Sequence, residues 1–425
     1  MQIHELYQLF LKQDQKICTD TRKIESGAIY FALKGGNFDA NSFALAAIEG
    51  GCSYAVIDNP AIKHEQCIVV DDALKTLQDL ATYHRRQFTI PVMGITGTNG
   101  KTTTKELVSA VLSTQLKVHY TKGNLNNHIG VPLTLLSMRK DAEIAIIEMG
   151  ANHPLEIEFL CNIAEPTYGM VTNMGKAHLE GFGGFEGVVK TKSEMYDFAA
   201  KHSGKIFVNA ADDLLMKQSA HVKQRILYQN AGFFGDVRAL SPYVCAMLRI
   251  GKEETEINTK LFGEHNLINM VAAAAVGREF GISTANIKKA LEAYQPDNNR
   301  SQIKKSAKGN TLILDAYNAN PTSMTMAIRA FANVTGKNKI AIVGDMLELG
   351  DAAETEHQNI IRLLELNNIK ALLVGPVFKS CGSKFPSFEN SAELKISTEI
   401  KEIAGATVLI KGSRGIKLEV VEEVL

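Results

Sequence analysis

The sequence predicts an α/β protein of three domains. Apolar, strand-like runs that end in small or polar residues alternate with helix-like segments along most of the chain, and this alternation is typical of βαβ units on a largely parallel sheet. The chain has 425 residues, which exceeds the size of one hydrophobic core. We place the domains at residues 1–88, 89–296 and 297–425.

The first block predicts a small α/β domain. Its strands are "AIYFAL" and "SYAVID", and "ALKTLQDLATYHRR" has the apolar spacing of a helix. Residues 31–43, "FALKGGNFDANSF", form a glycine-rich turn with polar side chains. Such a turn is suited to holding a ligand.

The second block runs from Pro91 to the breaker-rich "YQPDNNRSQ" around Pro296. Four apolar strands are expected within it, namely "PVMGITG", "EIAIIEMG", "TYGMVTN" and "KIFVNAADD". Because helix-like segments lie between them, we expect a largely parallel sheet.

The third block repeats this pattern in "NTLILDAYNANP", "KIAIVGDMLELG", "IKALLVGP" and "ATVLIKGSRG". It predicts a second, Rossmann-like α/β domain. In such sheets ligands gather at the carboxyl ends of the strands. The polar residues expected there are Asp315, Asn318, Asn320, Asp345, Lys411 and Ser413.

Composition excludes several classes of protein. Lys plus Arg and Asp plus Glu both number 46, so the formal net charge is zero, and neither a nucleic-acid partner nor an anionic membrane is expected. The N-terminal segment does not resemble a signal peptide, and the longest apolar run is too short to span a bilayer. Six scattered cysteines without a C-x-x-C pair argue against disulfides and structural zinc. We expect a cytoplasmic monomer.

Residues 94–106, "GITGTNGKTTTKE", predict a phosphate-binding loop between a strand and a helix. The common pattern G-x-x-x-x-G-K-[ST] would require glycine at position 95, where the chain has Ile95. Glycines allow a tight turn that aims N–H groups at phosphate oxygens, and the helix start adds partial positive charge. The expected nucleotide contacts are Gly97, Thr98, Asn99, Gly100, Lys101, Thr102 and Thr103.

Further polar residues follow strand ends or precede helices downstream of the loop. They are Glu148, Asn173, His178, Lys190, Lys192, Asn266 and Asn269. Each has an ordinary explanation by itself, such as a turn carboxylate or a surface lysine. Their order and spacing carry the stronger signal.

This arrangement resembles the Mur ligases, ATP-dependent enzymes that form amide bonds in peptidoglycan synthesis. The family loop T-G-T-N-G-K-T stands here at residues 96–102, and the resemblance extends over all three blocks through "ALKGGNFDANSF", "EMGANHPLEI", "NMGKAHLEGFGG" and "DAYNANPTSM". It implies an N-terminal domain for the uridine nucleotide of the substrate, a central P-loop ATPase domain, and a C-terminal domain that receives the incoming amine.

The resemblance also implies roles for central residues. Lys101 and Thr102 would hold the phosphates and Mg²⁺, whereas Glu148 and His178 would hold the metal region. Two Mg²⁺ sites and ATP are the implied cofactors.

A modified lysine is part of the same resemblance. Lys192 matches the lysine that the family carries as a carbamate, because it stands four residues before Tyr196, and it is preferred over Lys190. The implied catalytic set is Lys101, His178, Lys192 and Arg300, and the implied metal set is Thr102, Glu148, His178 and Lys192.

The remaining implied contacts concern nucleotide and substrates. Asn266 and Asn269 would lie near adenine, and Arg300, in the linker 298–300, would face the phosphates. The implied substrate contacts are Thr21, Arg22, Lys34, Asn37, Asp39, Asn126, Asn318, Asn320 and Asp345. Ala40 and Asn41 stand where the family often has Gly-His.

The implied reaction joins D-alanyl-D-alanine to UDP-N-acetylmuramoyl-tripeptide through an acyl phosphate. Three alternatives stay open. A sister ligase adding one amino acid would share the loop and metal residues. A folate polyglutamylating enzyme would share the central domain without needing the loop at 31–43, and a nucleotide-gated binding module would hydrolyse ATP only to change conformation.

Overall fold

Parallel sheets covered by helices dominate the fold, which confirms the predicted α/β class with a small N-terminal unit, a central P-loop unit and a Rossmann-like C-terminal unit. The computed structural model describes residues 1–36, 38–240, 242–297, 299–336 and 338–425. The exact domain boundaries stay a prediction.

The N-terminal unit is a parallel four-stranded sheet in the order β1-β2-β5-β6, with β3 and β4 paired as a separate hairpin. Asp72 starts helix α3 by accepting a hydrogen bond from Lys75 N at 2.8 Å, a typical N-cap. The elements are α1 (Ile3–Lys12), β1 (Ile17–Cys18), β2 (Ile29–Phe31), β3 (Lys34–Gly35), β4 (Phe38–Asp39), α2 (Ala44–Glu49), β5 (Tyr54–Ile57), β6 (Cys67–Val69) and α3 (Ala73–Arg85), with short 3-10 turns at Thr21–Lys23 and Ala40–Phe43.

The central sheet has six parallel strands in the order β12-β11-β10-β7-β9-β8. Its elements are β7 (Val92–Thr96), α4 (Lys101–Leu112), β8 (Val118–Tyr120), α5 (Gly130–Leu136), β9 (Ile144–Glu148), α6 (Glu156–Ala164), β10 (Tyr168–Val171), α7 (Leu179–Phe182), α8 (Phe185–Lys201), β11 (Lys205–Asn209), α9 (Asp213–Gln218) and β12 (Gln224–Tyr228). Strand order changes direction at β7, so a crevice opens at the carboxyl end of β7.

An antiparallel three-stranded sheet follows, which the sequence analysis did not predict. It consists of β13 (Phe233–Ala239), β14 (Cys245–Ile250) and β15 (Glu253–Asn258) and precedes α10 (Asn266–Glu279) and α11 (Thr284–Ala293). Ala246, Leu248 and Ile250 alternate along β14 as its buried side, which is the period of two expected for a strand with one covered face.

The C-terminal sheet is parallel except for its edge strand β16, which pairs antiparallel with β17. Its order is β16-β17-β21-β18-β19-β20. The elements are β16 (Gln302–Lys305), β17 (Thr311–Leu314), α12 (Pro321–Ala332), β18 (Lys339–Gly344), α13 (Ala353–Leu366), β19 (Lys370–Val374), α14 (Pro376–Ser380), β20 (Ser387–Phe388), α15 (Ser391–Ile396), α16 (Thr398–Lys401) and β21 (Thr407–Lys411), with 3-10 turns at Gly350–Ala352, Arg414–Ile416 and Leu418–Val424.

The first two units share a hydrophobic core. Leu77 and Leu80 of α3 belong to the same buried cluster as Val131 and Leu135 of α5. His84 adds a buried polar link, since its Nε2 lies 3.0 Å from Met138 O. The N-terminal unit is therefore docked firmly against the central sheet. No helix among the described residues is both long enough and apolar enough to cross a membrane.

Candidate active site

A cleft of about 550 Å³ lies where the carboxyl ends of the central and C-terminal sheets face each other. Residues of both sheets line it, as expected for ligands of doubly wound folds. The predicted site residues that line the cleft are Thr98, Asn99, Gly100, Lys101, Thr102, Thr103, Asn126, Glu148, His178, Asn266, Asn269, Arg300, Asn318 and Asn320.

The phosphate loop connects β7 to α4, and its glycines are required by close contacts. Gly97 has φ 138°, and a Cβ there would lie 2.0 Å from Thr172 Oγ1. Gly100 has φ 77°, and a Cβ there would approach Asn269 Oδ1 to 2.9 Å. Position 95 instead lies within the buried strand β7, where a side chain is needed for the core. The spacing of this loop therefore follows from its packing.

Lys101 begins helix α4 and folds back over the loop. Its Nζ donates to Gly97 O at 2.7 Å and to Thr98 O at 3.1 Å. Burial lowers the pKa of the Lys101 ammonium to about 8, with Glu148 opposing and Arg300 reinforcing the shift. A buried ammonium whose partners are backbone carbonyls would be stabilised by binding an anion such as phosphate.

Glu148 ends strand β9 with its carboxylate buried beneath the loop. Its Oε1 accepts hydrogen bonds from Thr102 Oγ1 at 3.1 Å and from Asn126 Nδ2 at 2.8 Å. Among the described residues Oε2 has no hydrogen-bond donor, although Lys105 Nζ lies 3.5 Å away. A buried carboxylate oxygen beside a hydroxyl suits Mg²⁺ chemically.

The described residues contain no group of three or more His, Cys, Asp or Glu side chains that could enclose a metal ion. Few protein ligands are typical of Mg²⁺, which keeps water and phosphate oxygens in its coordination shell. Thr102 and Glu148 therefore fit a nucleotide-bound Mg²⁺ better than a metal held by protein alone.

Lys192 lies in helix α8 and is only 3% exposed, whereas Lys190 on the same helix is exposed. Burial lowers the pKa of the Lys192 amine to about 7, and the nearby Lys101 ammonium lowers it further. Its Nζ lies 5.4 Å from the centre of the Phe182 ring. The structure thus separates two neighbouring lysines that the sequence alone could not distinguish by environment.

His178 precedes helix α7 with φ 51°, a conformation that is uncommon outside glycine. Its Nδ1 contacts the Glu348 carboxylate of the C-terminal unit. Burial lowers the pKa of the His178 imidazole, and the Glu348 carboxylate opposes that shift. The residue therefore lies at the junction of the two sheets.

Asn266 and Asn269 lie in the first turn of α10, rather than ahead of the helix. Asn269 Nδ2 donates to Asn266 Oδ1 at 2.9 Å, and Thr104 Oγ1 donates to Asn269 Oδ1 at 3.1 Å. Both side chains are almost fully buried. In this arrangement the amides fix α10 against α4 while lining the cleft.

The C-terminal sheet contributes polar residues that follow β17 and end β21. Lys411 Nζ donates to Asp315 Oδ2 at 2.6 Å, and Asn318 Oδ1 accepts from Ala319 N at 2.9 Å. Asn320 Nδ2 donates to Asn99 Oδ1 at 2.8 Å, which brings the C-terminal sheet into direct contact with the phosphate loop.

Asp345 lies outside the cleft lining. Its two carboxylate oxygens accept hydrogen bonds from Val377 N and Phe378 N, both at 2.9 Å. Asp345 is fully buried, so its side chain is engaged in holding the start of α14. A dipeptide contact at Asp345 stays a prediction that this geometry does not favour.

The predicted uridine contacts also lie away from the cleft. Arg22 pairs with Asp20 at 2.8 Å, and Lys34 pairs with Asp58 at 2.8 Å. Asp39 accepts from Asn41 N at 2.9 Å. Thr21 lies in the first 3-10 turn, and Asn37 lies outside the described residues, as does Asn298 of the predicted linker.

Several residues at the site were not predicted from the sequence. Tyr317, His128, His153 and His265 line the cleft, whereas Lys105 and Glu348 contact the predicted residues Glu148 and His178. Lys105 follows Lys101 by one helical turn, and this spacing was the available signal. Tyr317 lies among the polar residues after β17 and stacks on Arg300, with the Arg300 Cζ 3.7 Å from the ring centre. No local pattern predicts the contact of Glu348, because its partner is distant in sequence.

Two family models match the parts of the chain that form the cleft. Residues 95–277 match the Mur ligase middle domain, and residues 299–414 match the Mur ligase, glutamate ligase domain. These fold and site features define a class of ligase, and the chain belongs to the Mur ligase family. The resemblance inferred from the phosphate loop is thereby confirmed.

Full-length relatives are more specific. A UDP-N-acetylmuramoyl-tripeptide–D-alanyl-D-alanine ligase of Bacillus subtilis (strain 168) is 35% identical over 427 residues, covering 95% of this chain and 91% of the relative. A crystal structure of MurF from Acinetobacter baumannii is similar, with a TM-score of 0.87, 32% identity and 98% of both chains covered. A MurF ligase from Thermotoga maritima in complex with ADP has a TM-score of 0.87 at 25% identity and 97% coverage of both chains.

Proposed function

We propose that the chain is an ATP-dependent, ADP-forming ligase that joins D-alanyl-D-alanine to UDP-N-acetylmuramoyl-tripeptide. Its products are UDP-N-acetylmuramoyl-pentapeptide, a peptidoglycan precursor, together with ADP and phosphate. The observation that carries the proposal is the single cleft into which the phosphate loop, Glu148 and Arg300 project from two sheets. The name shared by the full-length relatives supports the same substrates.

The chemistry explains why cations surround the cleft. The terminal carboxylate of the tripeptide attacks the γ-phosphate of ATP, giving an acyl phosphate and ADP. The amine of D-alanyl-D-alanine then attacks the acyl carbon, and phosphate leaves. Both steps bring negative groups together, so Lys101, Arg300 and the loop N–H groups stabilise the charge that develops between them.

Mg²⁺ bound in this cleft would neutralise phosphate charge and orient the triphosphate. Thr102 and Glu148 are the side chains that would hold it, because the Thr102 hydroxyl lies beside the carboxylate and Oε2 has no hydrogen-bond donor among the described residues. Asn126 fixes the other carboxylate oxygen, so the orientation of Glu148 is set before any nucleotide binds. His178 would complete the metal region from the side of the C-terminal sheet.

Lys192 is proposed to carry a carbamate. A lysine that is buried beside the Lys101 ammonium is an unfavourable cation. In its neutral form the amine can form an N–C bond with CO₂ while the nitrogen releases one proton, and the resulting carbamate anion would be attracted by Lys101 and by bound Mg²⁺. The exposed Lys190 has no such reason to react.

The remaining assignments follow from position. Asn318 and Asn320 of the C-terminal sheet are proposed to contact the dipeptide, since they line the cleft opposite the phosphate loop. Thr21, Arg22, Lys34, Asn37 and Asp39 of the N-terminal unit are proposed to hold the uridine end. The protein is proposed to act as a monomer in the cytoplasm, the compartment in which its nucleotide substrates are found.

A substrate panel tests the function. ADP formation is measured with UDP-N-acetylmuramoyl-tripeptide and either D-alanyl-D-alanine or single amino acids. We expect ADP only when the tripeptide nucleotide and the dipeptide are both present. ADP formation with a single amino acid would identify a sister ligase instead. Hydrolysis that ignores both substrates would identify a nucleotide-gated binding module.

A further inference from the structure

The backbone around Arg300 has an unusual conformation. Asn299 and Ser301, on either side of Arg300, have φ angles of 55° and 54°. Left-handed conformations at non-glycine residues persist when the surroundings hold them, and they gather at functional sites. The segment that presents Arg300 to the cleft is therefore held in place by its neighbours.

One anchor of this segment is the backbone after Arg300. Ser301 N donates to Asp315 Oδ1 at 3.2 Å, and Asp315 in turn accepts from Lys411 Nζ at 2.6 Å. Ser301 is buried. These bonds fix the path of the backbone, but they do not set the direction of the Arg300 side chain.

The side chain has its own support. The Arg300 Cζ lies 3.7 Å from the centre of the Tyr317 ring, which is the separation of a stacked guanidinium. Both side chains are half-buried and line the cleft. Because a ring face attracts a cation without cancelling its charge, the guanidinium keeps its full attraction for an anion.

Arg300 and Lys101 line the same cleft, so a guanidinium held by Tyr317 lies in the space that would receive the nucleotide phosphates. We propose that Tyr317 is a positioning residue, whose ring holds the Arg300 guanidinium ready for the triphosphate. This inference rests on the proposed function, since it assumes that the cleft binds ATP. Tyr317 acts through Arg300 rather than by touching the reacting atoms.

The stack predicts a specific pattern among substitutions. Tyr317→Leu removes the ring and should weaken binding of a non-hydrolysable ATP analogue roughly tenfold, with a similar loss in kcat/KM. Tyr317→Phe keeps the ring face and should restore most of the affinity. Arg300→Lys keeps the charge but loses the planar group, so the double variant Arg300→Lys/Tyr317→Leu should lose no more than Arg300→Lys alone.

Analogue affinity measured by titration calorimetry, together with melting temperature, tests this proposal. Tyr243→Leu, on an exposed tyrosine outside the cleft, is the matched control for losing a ring. Equal losses in Tyr317→Phe and Tyr317→Leu would assign the effect to the hydroxyl and overturn the proposal, as would additive losses in the double variant. If Tyr317→Leu does not fold, Tyr317→Phe and Arg300→Lys still test the proposal. A loss of analogue binding in Tyr317→Phe would overturn it, and so would unchanged analogue binding in Arg300→Lys.

Different results would contradict the proposed function and the role of Tyr317. If the wild-type protein binds no ATP analogue, the nucleotide site itself is absent. If it binds the analogue and makes ADP with both substrates while Tyr317→Leu binds normally, only the role of Tyr317 is wrong.

Discussion

The side-chain amide of Asn320 donates a hydrogen bond to Oδ1 of Asn99 over 2.8 Å, joining the start of α12 to the tip of the phosphate loop. Nearby, Lys176 pairs with Glu356 at 2.7 Å. Both contacts connect the central and C-terminal sheets. Asn99 Nδ2 is buried without an acceptor among the described residues, so it is free to meet a phosphate.

Replacing Asn320 by serine tests this connection. Asn320 also caps α12, because its Oδ1 accepts from Ser323 N at 2.9 Å, and serine is an equally good cap but too short to reach Asn99. We expect Asn320→Ser to keep its melting temperature within a few degrees while the KM for ATP rises about fivefold, as for one lost hydrogen bond. Asn390→Ser, at the N-cap of α15, is the control. An unchanged KM would show that the contact does not aid nucleotide binding.

Lys101→Ala should reduce turnover severely. The Lys101 ammonium is the cation that the loop itself supplies, and loss of a preorganised charge-stabilising donor reduces kcat by about 10²–10³-fold. Steady-state ADP formation with both substrates measures the effect, and the melting temperature reports whether the fold survives. Near-wild-type turnover in a folded variant would refute the assignment of Lys101.

Lys192→Ala should be inactive and partly rescued by a small added carboxylate such as acetate, which replaces the proposed carbamate. Lys190→Ala is the matched control, because Lys190 lies on the same helix but is exposed. Turnover is measured with and without the added carboxylate. Full activity of Lys192→Ala without rescue would move the assignment to Lys190 or to neither lysine.

Glu148→Gln should raise the Mg²⁺ concentration needed for activity by about tenfold or more. Glutamine can still accept from Thr102 and keep its place, yet it lacks the negative charge that attracts the ion. Binding of Mn²⁺ in the presence of ADP, followed by electron paramagnetic resonance, measures the site directly. Glu158→Gln, on an exposed residue of α6, serves as the control. Equal Mn²⁺ affinity in Glu148→Gln and the control would exclude Glu148 from the metal site.

Acid should destabilise the protein through His84. Its Nε2 donates to Met138 O at 3.0 Å and its Nδ1 accepts from the Tyr7 hydroxyl at 3.1 Å, so the folded state requires a neutral ring. Burial lowers the pKa of His84 below its value of 6.5 in the unfolded chain. The unfolded state therefore binds the proton more readily, and stability that is present above pH 6.5 is lost as the pH falls.

Urea titration between pH 7.5 and 5 measures the free energy of unfolding. The contribution of His84 to it should fall by up to about 1.4 kcal/mol for each pH unit of acidification. His84→Gln retains a donor and an acceptor but cannot ionise in this range, so its slope should be smaller. His4→Gln, on the exposed side of α1, should keep the wild-type slope. A wild-type slope in His84→Gln would show that His84 is not the group responsible.

Periodicity and local turn chemistry made much of this fold predictable. The strands β7, β9, β10 and β11 fall within the four predicted apolar runs, and the loop at 94–106 stands between a strand and a helix as expected. The antiparallel strands β13 to β15 were missed. These three strands are partly exposed, and charged residues in β13 and β15 obscure the apolar alternation that would predict them.

Candidate site residues were harder to predict, because a polar residue at a strand end can either bind a ligand or accept hydrogen bonds from the protein's own backbone. Asp345 follows a strand as expected, yet its carboxylate accepts two backbone N–H groups of α14. Asp39 also accepts from a backbone N–H, but its partner Asn41 is only two residues away, so this bond belongs to a local turn. Whether a carboxylate such as that of Asp345 is free for a ligand depends on chain that is distant in sequence, so local sequence cannot decide it.

The sequence by itself determined the phosphate loop, since the positive φ angles of Gly97 and Gly100 and the contact of Lys101 with Gly97 O are set within a few residues. The loop's close packing against Thr172 and Asn269 belongs to the tertiary structure. The sequence also determined the family, through the order of motifs along the chain. Only the tertiary structure decided which side chains meet at the cleft. Arg300 stacks on Tyr317, and Asn320 bonds to Asn99 between two sheets. Those contacts depend on how the sheets pack, and packing is set by burial along the whole chain rather than by any single motif.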